Sequence, residues 1–135
     1  MPKLLRFLTI CTIGFAFATS SSVWAQQYTT VDFPGAVTTA LDGGPNPQGT
    51  AVGSYTDTSG VTHGFTLTSH GVFTSFDPPG STLTVPNFIT PQGMIVGQYI
   101  DSSSTSHGFL LYRGIYTTFN VQGAPGTVLG GENPH

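Results

Sequence analysis

The sequence predicts an all-β fold built from a repeat. Three segments recur in the same order at a spacing of 43–45 residues, and short runs rich in valine, threonine, tyrosine and phenylalanine alternate with turn sequences. Runs of this composition between turn formers are typical of β-strands. No part of the chain after residue 25 shows helical periodicity flanked by helix caps. We therefore predict about two and a half repeat units of three to four antiparallel strands each, after a cleaved signal helix.

Residues 1–25 have the features of a secretory signal peptide. Lys3 and Arg6 give a basic start, residues 7–18 are apolar or small, and Val23 and Ala25 are the small residues that a cleavage site needs. The apolar stretch is shorter than the roughly 20 residues that span a bilayer. We predict cleavage after Ala25, no membrane attachment of the mature chain, and a secreted or extracellular location, at the cell surface or in the periplasm.

The remaining residues, 26–135, form the predicted β-repeat domain, with units at about 28–71, 72–114 and 115–135. The segment Tyr28–Gly35 returns at Phe73–Gly80 and Tyr116–Gly123. Asn46–Asp57 returns at Thr90–Asp101, and Thr62–Leu67 returns at Ser106–Leu111. The predicted strands are Tyr28–Phe33, Thr50–Thr56, Thr62–Thr68, Phe73–Asp77, Met94–Ile100, His107–Tyr112 and Ile115–Asn120.

Two kinds of connection separate these strands. Asp57-Thr-Ser-Gly60 and Asp101-Ser-Ser-Ser104 are predicted hairpin turns, because aspartate caps a turn and glycine permits positive φ. The longer segments 36–45 and 81–89 contain Pro45 and Pro86. Proline lacks the N–H that a central strand donates, so a fourth strand in these segments is predicted to be an edge strand or a loop.

A period near 44 residues with three or four strands is typical of a propeller blade. Closing a propeller takes about 4–8 blades, which is more than residues 26–135 provide, so a β-solenoid or a small sandwich is the alternative architecture. Asn133-Pro134 aligns with Asn46-Pro47, so the sequence stops as a third unit begins. Truncation of a longer repeat protein is the favoured explanation, and an open end completed by another chain is the other.

These repeated residues resemble a bacterial extracellular repeat family, the HAF-type repeat. The resemblance rests on Asp32-Phe-Pro-Gly35, Val52-Gly53, Tyr55 and His63-Gly-Phe65, with their counterparts in the second unit. Glycine stands at 64 and 108 where the family's His-Ala-Phe has alanine, and asparagine replaces aspartate at 120. The resemblance implies secretion and a propeller-like β-repeat fold, and it carries no catalytic activity over to this chain.

Composition excludes several functions. Only 7% of the residues are charged, and after Ala25 the single cation is Arg113 against six acidic residues, which argues against binding nucleic acid through phosphates. The single cysteine, Cys11, lies within the predicted signal peptide, so thiol chemistry is not expected of the mature chain. The sequence contains no nucleophile elbow and no phosphate-binding glycine loop. We predict no enzymatic activity and no cofactor.

Histidine and aspartate recur together in both complete units. Such a pair is the minimum for a metal or acid–base site, but a pair repeated in each unit is better explained by a structural role. We expect the aspartate to close the hairpin turn and the histidine to hydrogen-bond across the hairpin, whereas Asp32 and Asp77 are expected to shape turns. The candidate structural positions are Asp57, His63, Gly64 and Phe65, with Asp101, His107, Gly108 and Phe109 in the second unit.

Most aromatic residues on the predicted strands are expected in the core. Tyr55 and Tyr99 are the candidates for stacking on sugar rings. The predicted function is a secreted, non-enzymatic structural or binding protein at the cell exterior, with another copy of itself, reached through open strand edges, or extracellular carbohydrate as partner. A fragment of a longer repeat protein and a polysaccharide-binding or polysaccharide-processing protein are the alternatives.

Overall fold

The computed structural model describes residues 29–120, and this part of the chain is all-β, as the sequence predicts. The predicted signal peptide, its cleavage site and the last part of the third unit lie outside the described residues. Between 29 and 120 there is no helix, and therefore none that could cross a membrane. The eight strands are β1 (Thr38–Gly43), β2 (Ala51–Thr56), β3 (Thr62–Leu67), β4 (Phe73–Phe76), β5 (Ser81–Ile89), β6 (Ile95–Asp101), β7 (Ser106–Tyr112) and β8 (Ile115–Phe119).

The strands form two antiparallel meanders of four. In the first unit β1 pairs with β2, β2 with β3, and β3 with β4; in the second unit β5 to β8 pair in the same sequence. One parallel bridge, between Thr62 of β3 and Leu83 of β5, joins the units into an open mixed sheet. The meanders follow from short strands joined by tight turns, since such turns permit only antiparallel neighbours.

The hydrogen-bonded units are offset from the sequence units. The repeat places a boundary between residues 71 and 72, but β4 pairs with β3 across that boundary, through Gly64 with Phe76 and Leu67 with Phe73. By strand pairing, the first unit therefore runs from Thr38 to Phe76. The repeat in the sequence gives a different boundary because it shows where a motif recurs and does not show which strands pair.

The predicted strand Tyr28–Phe33 is wrong for its described residues, because 29–33 form no strand. Their repeat counterparts are β4 and β8, each of which pairs with the strand just before it in the chain. The ring of Phe33 packs instead on the first unit, 3.7 Å from that of Tyr55.

The two proline-containing segments both contain a strand, but in different positions. β1 lies at the edge of the sheet, which agrees with the prediction of an edge strand or a loop. β5 lies between β3 and β6 and has nine residues, so the prediction of an edge strand or loop is wrong there. Pro86 is fully buried and opposite Gly97, and the register shifts between Pro86 and Phe88. This irregularity accommodates a residue that cannot donate to the ladder.

The core lies between the two units. Val52 of the first unit clusters with Ile95, Tyr99 and Phe109 of the second, and the ring of Phe76 packs at 6.2 Å from that of Phe109. Burial of these apolar side chains is the main force that holds one unit against the other.

Close packing requires glycine at equivalent points of β2 and β6. A Cβ at Gly53 would lie 2.2 Å from the carbonyl oxygen of Ala40, and one at Gly97 would lie 2.5 Å from that of Val85. Both positions also face the ring of the buried phenylalanine on the next strand, so any side chain there would displace both the neighbouring backbone and the core.

Candidate functional site

The two hairpin turns with repeated aspartates have the same construction. The Oδ1 atom of Asp57 accepts hydrogen bonds from the backbone N–H groups of Ser59 and Val61, at 2.8 and 3.0 Å. Oδ1 of Asp101 accepts from Ser103 and Thr105 in the same way, at 2.8 and 2.9 Å. Each aspartate side chain thus caps its own turn, and its second oxygen remains available to another group.

That second oxygen faces a histidine on the next strand. Nε2 of His63 lies 3.3 Å from Oδ2 of Asp57, and its Nδ1 lies 2.7 Å from Oδ2 of Asp77, just beyond the end of β4. Each of the two ring nitrogens of His63 therefore lies next to a carboxylate oxygen. The ring connects the turn between β2 and β3 with the end of the last strand of the unit.

The second unit repeats this arrangement with one change. Nε2 of His107 lies 2.8 Å from Oδ2 of Asp101, while its Nδ1 lies 2.6 Å from Oδ1 of Asn120. An amide can either donate or accept, so a neutral His107 can keep both hydrogen bonds if the amide turns over. A neutral His63 can donate to only one of its two carboxylates, so its arrangement favours the protonated ring more strongly.

Both histidines have a raised pKa. Partial burial acts to lower the pKa of His63, but its hydrogen bonds to Asp77 and Asp57 outweigh burial and raise it above 6.5. The hydrogen bond to Asp101, followed by that to Asn120, raises the pKa of His107. The pKa values of the two aspartates are lowered. The backbone N–H of Val61 is the main cause for Asp57, and the hydrogen bond from His107 is the main cause for Asp101.

Asp77 and Thr84 belong to the site although the sequence analysis did not place them there. Asp77 was expected to shape a turn; its Oδ2 meets His63 and its Oδ1 accepts a 2.7 Å hydrogen bond from the hydroxyl of Thr84. Thr84 is completely buried on β5, so the second unit is tied to the site. The available signal was that Asp77 and Asn120, both polar, follow equivalent strands.

The tyrosines stack on the histidines. The ring centroids of Tyr55 and His63 are 5.0 Å apart, and those of Tyr99 and His107 are 4.8 Å apart. Phe33 lies on Tyr55, and Tyr99 is only 8% exposed. Tyr99 therefore presents little ring surface to a sugar. Phe65 and Phe109 are fully buried, so these candidate structural positions form the centre of each unit.

Gly64 and Gly108 lie opposite the last strand of their units, facing Phe76 and Phe119. A Cβ at Gly64 would lie 2.7 Å from the ring of Phe76. The lack of a side chain at Gly64, between His63 and Phe65, therefore leaves space for the ring of Phe76.

A separate open cleft of about 530 Å³ lies where the first turns of the two units meet. The equivalent residues Gln48 and Gln92 both line it, together with Asn46, Thr50 and Pro91. Its lining offers amides and hydroxyls and no ionisable side chain. Within the described chain no three histidine, cysteine, aspartate or glutamate residues are grouped so that they could hold a metal ion.

No known protein family, no curated protein and no solved structure matches this chain.

Proposed function

We propose that this protein is a secreted, non-enzymatic β-repeat protein with a structural role at the cell exterior, and that its units are propeller-like blades of a HAF-type repeat. The observation that carries the structural role is that both ring nitrogens of both repeated histidines already have hydrogen-bond partners in the hairpin turn before the histidine and just after the last strand of its unit. A group engaged in this way holds strands together, and it would have to give up one of these hydrogen bonds to move a proton to or from a substrate.

The strand arrangement supports the comparison with propeller blades. Each unit is a four-stranded antiparallel meander, and the chain passes from the last strand of one unit to the first strand of the next. Blades of propellers are four-stranded sheets packed face to face. The buried cluster between the two units is the corresponding packing.

Export is proposed from residues 1–25. Expression of the complete chain in a bacterium with a general secretion system should yield a periplasmic or extracellular protein whose mass starts at Gln26. Ala25→Leu should leave the precursor uncut, because the peptidase accepts only small residues next to the cleavage point. An unprocessed wild-type chain in the cytoplasm would refute the export proposal.

The structural role is tested with His63→Ala and His107→Ala. We expect both variants to unfold at lower urea concentration than the wild type, and no variant or wild type to release reducing sugar from a panel of polysaccharides. His70→Ala serves as the matched control, because His70 is exposed and contacts its neighbour Ser69 at 3.5 Å. Hydrolysis by the wild type that disappears in a histidine variant of unchanged stability would show that the protein is an enzyme.

Carbohydrate binding is the second candidate, and the cleft at Gln48 and Gln92 favours it. Uncharged amides and hydroxyls are suited to the hydroxyl groups of a neutral sugar. A Gln48→Ala, Gln92→Ala double variant should then lose retention on a glycan array while its melting temperature stays unchanged. Equal retention by wild type and double variant would exclude the cleft as the site.

A further inference from the structure

The place where the two units meet includes a chain of polar contacts that starts at His63. Oδ2 of Asp77 lies 2.7 Å from Nδ1 of His63, and Oδ1 of the same carboxylate accepts a hydrogen bond from the buried hydroxyl of Thr84 at 2.7 Å. The parallel bridge between Thr62 and Leu83, which joins β3 to β5, lies one residue away on each strand. His63 of the first unit is therefore connected to β5 of the second through one carboxylate. We call Asp57, His63, Asp77 and Thr84 together the His63 link.

The titratable groups that face the ring of His63 come from three elements. Nε2 lies 3.3 Å from Asp57 in the turn between β2 and β3, and Nδ1 faces Asp77 just after β4. Tyr55 of β2 stacks on the ring, with the ring centroids 5.0 Å apart. β5 contributes the hydroxyl of Thr84, which is bonded to the other oxygen of Asp77. The two ring nitrogens are therefore placed between two carboxylates.

No other described group supplies a positive charge to these carboxylates. Arg113, the single arginine or lysine of residues 29–120, lies 5.1 Å from the centre of the Tyr112 ring and forms no ion pair with Asp57 or Asp77. Tyr116 of β8 has a pKa raised chiefly by burial and further by the charge of Asp77, so its phenol stays neutral. A proton on His63 is therefore the positive charge that these carboxylates meet.

The number of protons on the ring decides how many of its contacts are favourable. A protonated ring donates to both carboxylates, whereas a neutral ring has one N–H and turns a lone pair toward the other carboxylate. Oδ1 of Asp57 accepts hydrogen bonds from the backbone N–H groups of Ser59 and Val61, so this carboxylate cannot turn away without uncapping its turn. Repulsion in the neutral form therefore displaces the ring, and with it the carboxylate of Asp77.

The second unit provides an internal comparison, because Asn120 stands where the first unit has Asp77. Nδ1 of His107 lies 2.6 Å from the side-chain oxygen of Asn120. An amide that turns over can donate instead of accept, so a neutral His107 keeps both of its hydrogen bonds. Loss of a proton therefore changes the His63 link more than the equivalent site in the second unit.

We propose that the His63 link is a pH-sensitive connection between the two units. The imidazolium form of His63 holds Asp77 where it accepts the hydrogen bond from Thr84. Loss of the ring proton displaces Asp77 and loosens the attachment of β5 to β3. The inference rests on the proposed structural role of His63 and adds its regulation: the connection is tight in acid surroundings and looser in alkaline ones.

The pH range of this change follows from the directions of the pKa shifts. Partial burial acts to lower the pKa of His63, but the hydrogen bonds to Asp77 and Asp57 raise it above 6.5. The stabilisation is therefore complete below about pH 6.5 and is lost as the pH rises through the folded-state pKa. The lowered pKa of Asp57, caused chiefly by the N–H of Val61, keeps that carboxylate charged throughout.

Amide hydrogen exchange of the chain purified after export tests the link between about pH 5 and pH 9, with each rate corrected for the intrinsic effect of pH on exchange. We expect the protection of residues 82–84 of β5 to fall about tenfold as His63 loses its proton, which is the effect of one hydrogen bond to a charged group. The side chain of His63 is titrated by NMR in the same samples. Residues 96–98 of β6 report any change in global stability and should lose less protection.

Three variants separate the link from other effects of pH. Asp77→Asn gives the first unit the residue of the second, and it should make the protection of residues 82–84 independent of pH. Asn120→Asp is the matched control, because it adds a carboxylate at His107 and should leave the pH dependence in β5 as it is in the wild type. Thr84→Val keeps both carboxylates at His63, so His63 should titrate as before while the protection of β5 no longer follows it.

Equal protection of residues 82–84 at both ends of the pH range in the wild type would overturn the inference. Wild-type pH dependence of β5 in Asp77→Asn or in Thr84→Val would also overturn it, and Thr84→Val decides alone if Asp77→Asn does not fold. None of these results removes the structural role of His63. That role fails separately if His63→Ala unfolds at the same urea concentration as the wild type.

Discussion

Replacing Asp77 by alanine should destabilise the protein far more than the equivalent change in the second unit. The carboxylate of Asp77 accepts hydrogen bonds from His63 and from Thr84, both at 2.7 Å. Asn120, its counterpart, is exposed and meets only His107 among the contacts described for its side chain. Asp77 therefore joins two units, whereas Asn120 joins two strands of one unit.

The magnitude follows from the two lost contacts. A hydrogen bond to a charged group contributes about 1.5–3 kcal/mol, and the lower value applies because the side chains of His63 and Asp77 are 21% and 34% exposed. The buried hydroxyl of Thr84 keeps a weaker contact with Ser81 at 3.3 Å, so its penalty is about 1 kcal/mol. The sum is about 2–3 kcal/mol, against about 0.5–1 kcal/mol for Asn120→Ala.

Urea unfolding followed by far-UV circular dichroism measures both variants, since the only tryptophan, Trp24, precedes the predicted cleavage site. A loss of about 2–3 kcal/mol corresponds to a fall of about 10–20 °C in melting temperature for a domain of this size. Thr84→Val combined with Asp77→Ala should show a coupling of about 1 kcal/mol. If Asp77→Ala and Asn120→Ala cost the same, the link between the units through Thr84 contributes nothing and the reasoning is wrong.

Three further predictions concern the core and the pH dependence. Gly97→Ala should prevent folding or cost more than about 2 kcal/mol, whereas Gly44→Ala, with nothing within 4 Å of its Cβ, should be nearly neutral by thermal melting. Phe109→Ala should cost about 3–5 kcal/mol in urea unfolding, and a loss below 1 kcal/mol would contradict its place in the core. The raised pKa of His107 means that its stabilisation is complete below about pH 6.5 and is lost as the pH rises through the folded-state pKa, so melting temperature should fall there. Asn120→Asp should raise that pKa further in an NMR titration, and an unchanged pKa would count against the geometry.

Local sequence patterns were sufficient for the all-β class and for most of the strands. The alternation in Phe73–Phe76 and the capped turn at Asp57 depend on residues close together in the chain, so they can be recognised without knowing what lies across the sheet. Seven strands were predicted, and the error at residues 29–33 arose because a strand also needs a neighbour to pair with, which periodicity does not reveal.

For each histidine, only the hydrogen-bond partner in the preceding hairpin turn could be predicted from the sequence. Asp57 lies six residues before His63, across a hairpin whose geometry the turn sequence already implies. Asp77 lies 14 residues after His63 and reaches it because β4 folds back along β3, while Thr84 comes from the next unit. These contacts depend on the order of strands in space, and the sequence around Asp77 equally permitted a role in a turn.

The sequence by itself determined the repeat, the strand composition and the turns, because these features depend on local conformational preference. Only the tertiary structure decided that β4 belongs to the first unit, that Pro86 lies within the sheet, and that Val52 and Phe109 share one core. The physical reason is that burial is a property of the folded chain: the equivalent residues Phe76 and Phe119 differ in exposure because, within residues 29–120, a neighbouring unit packs only on Phe76.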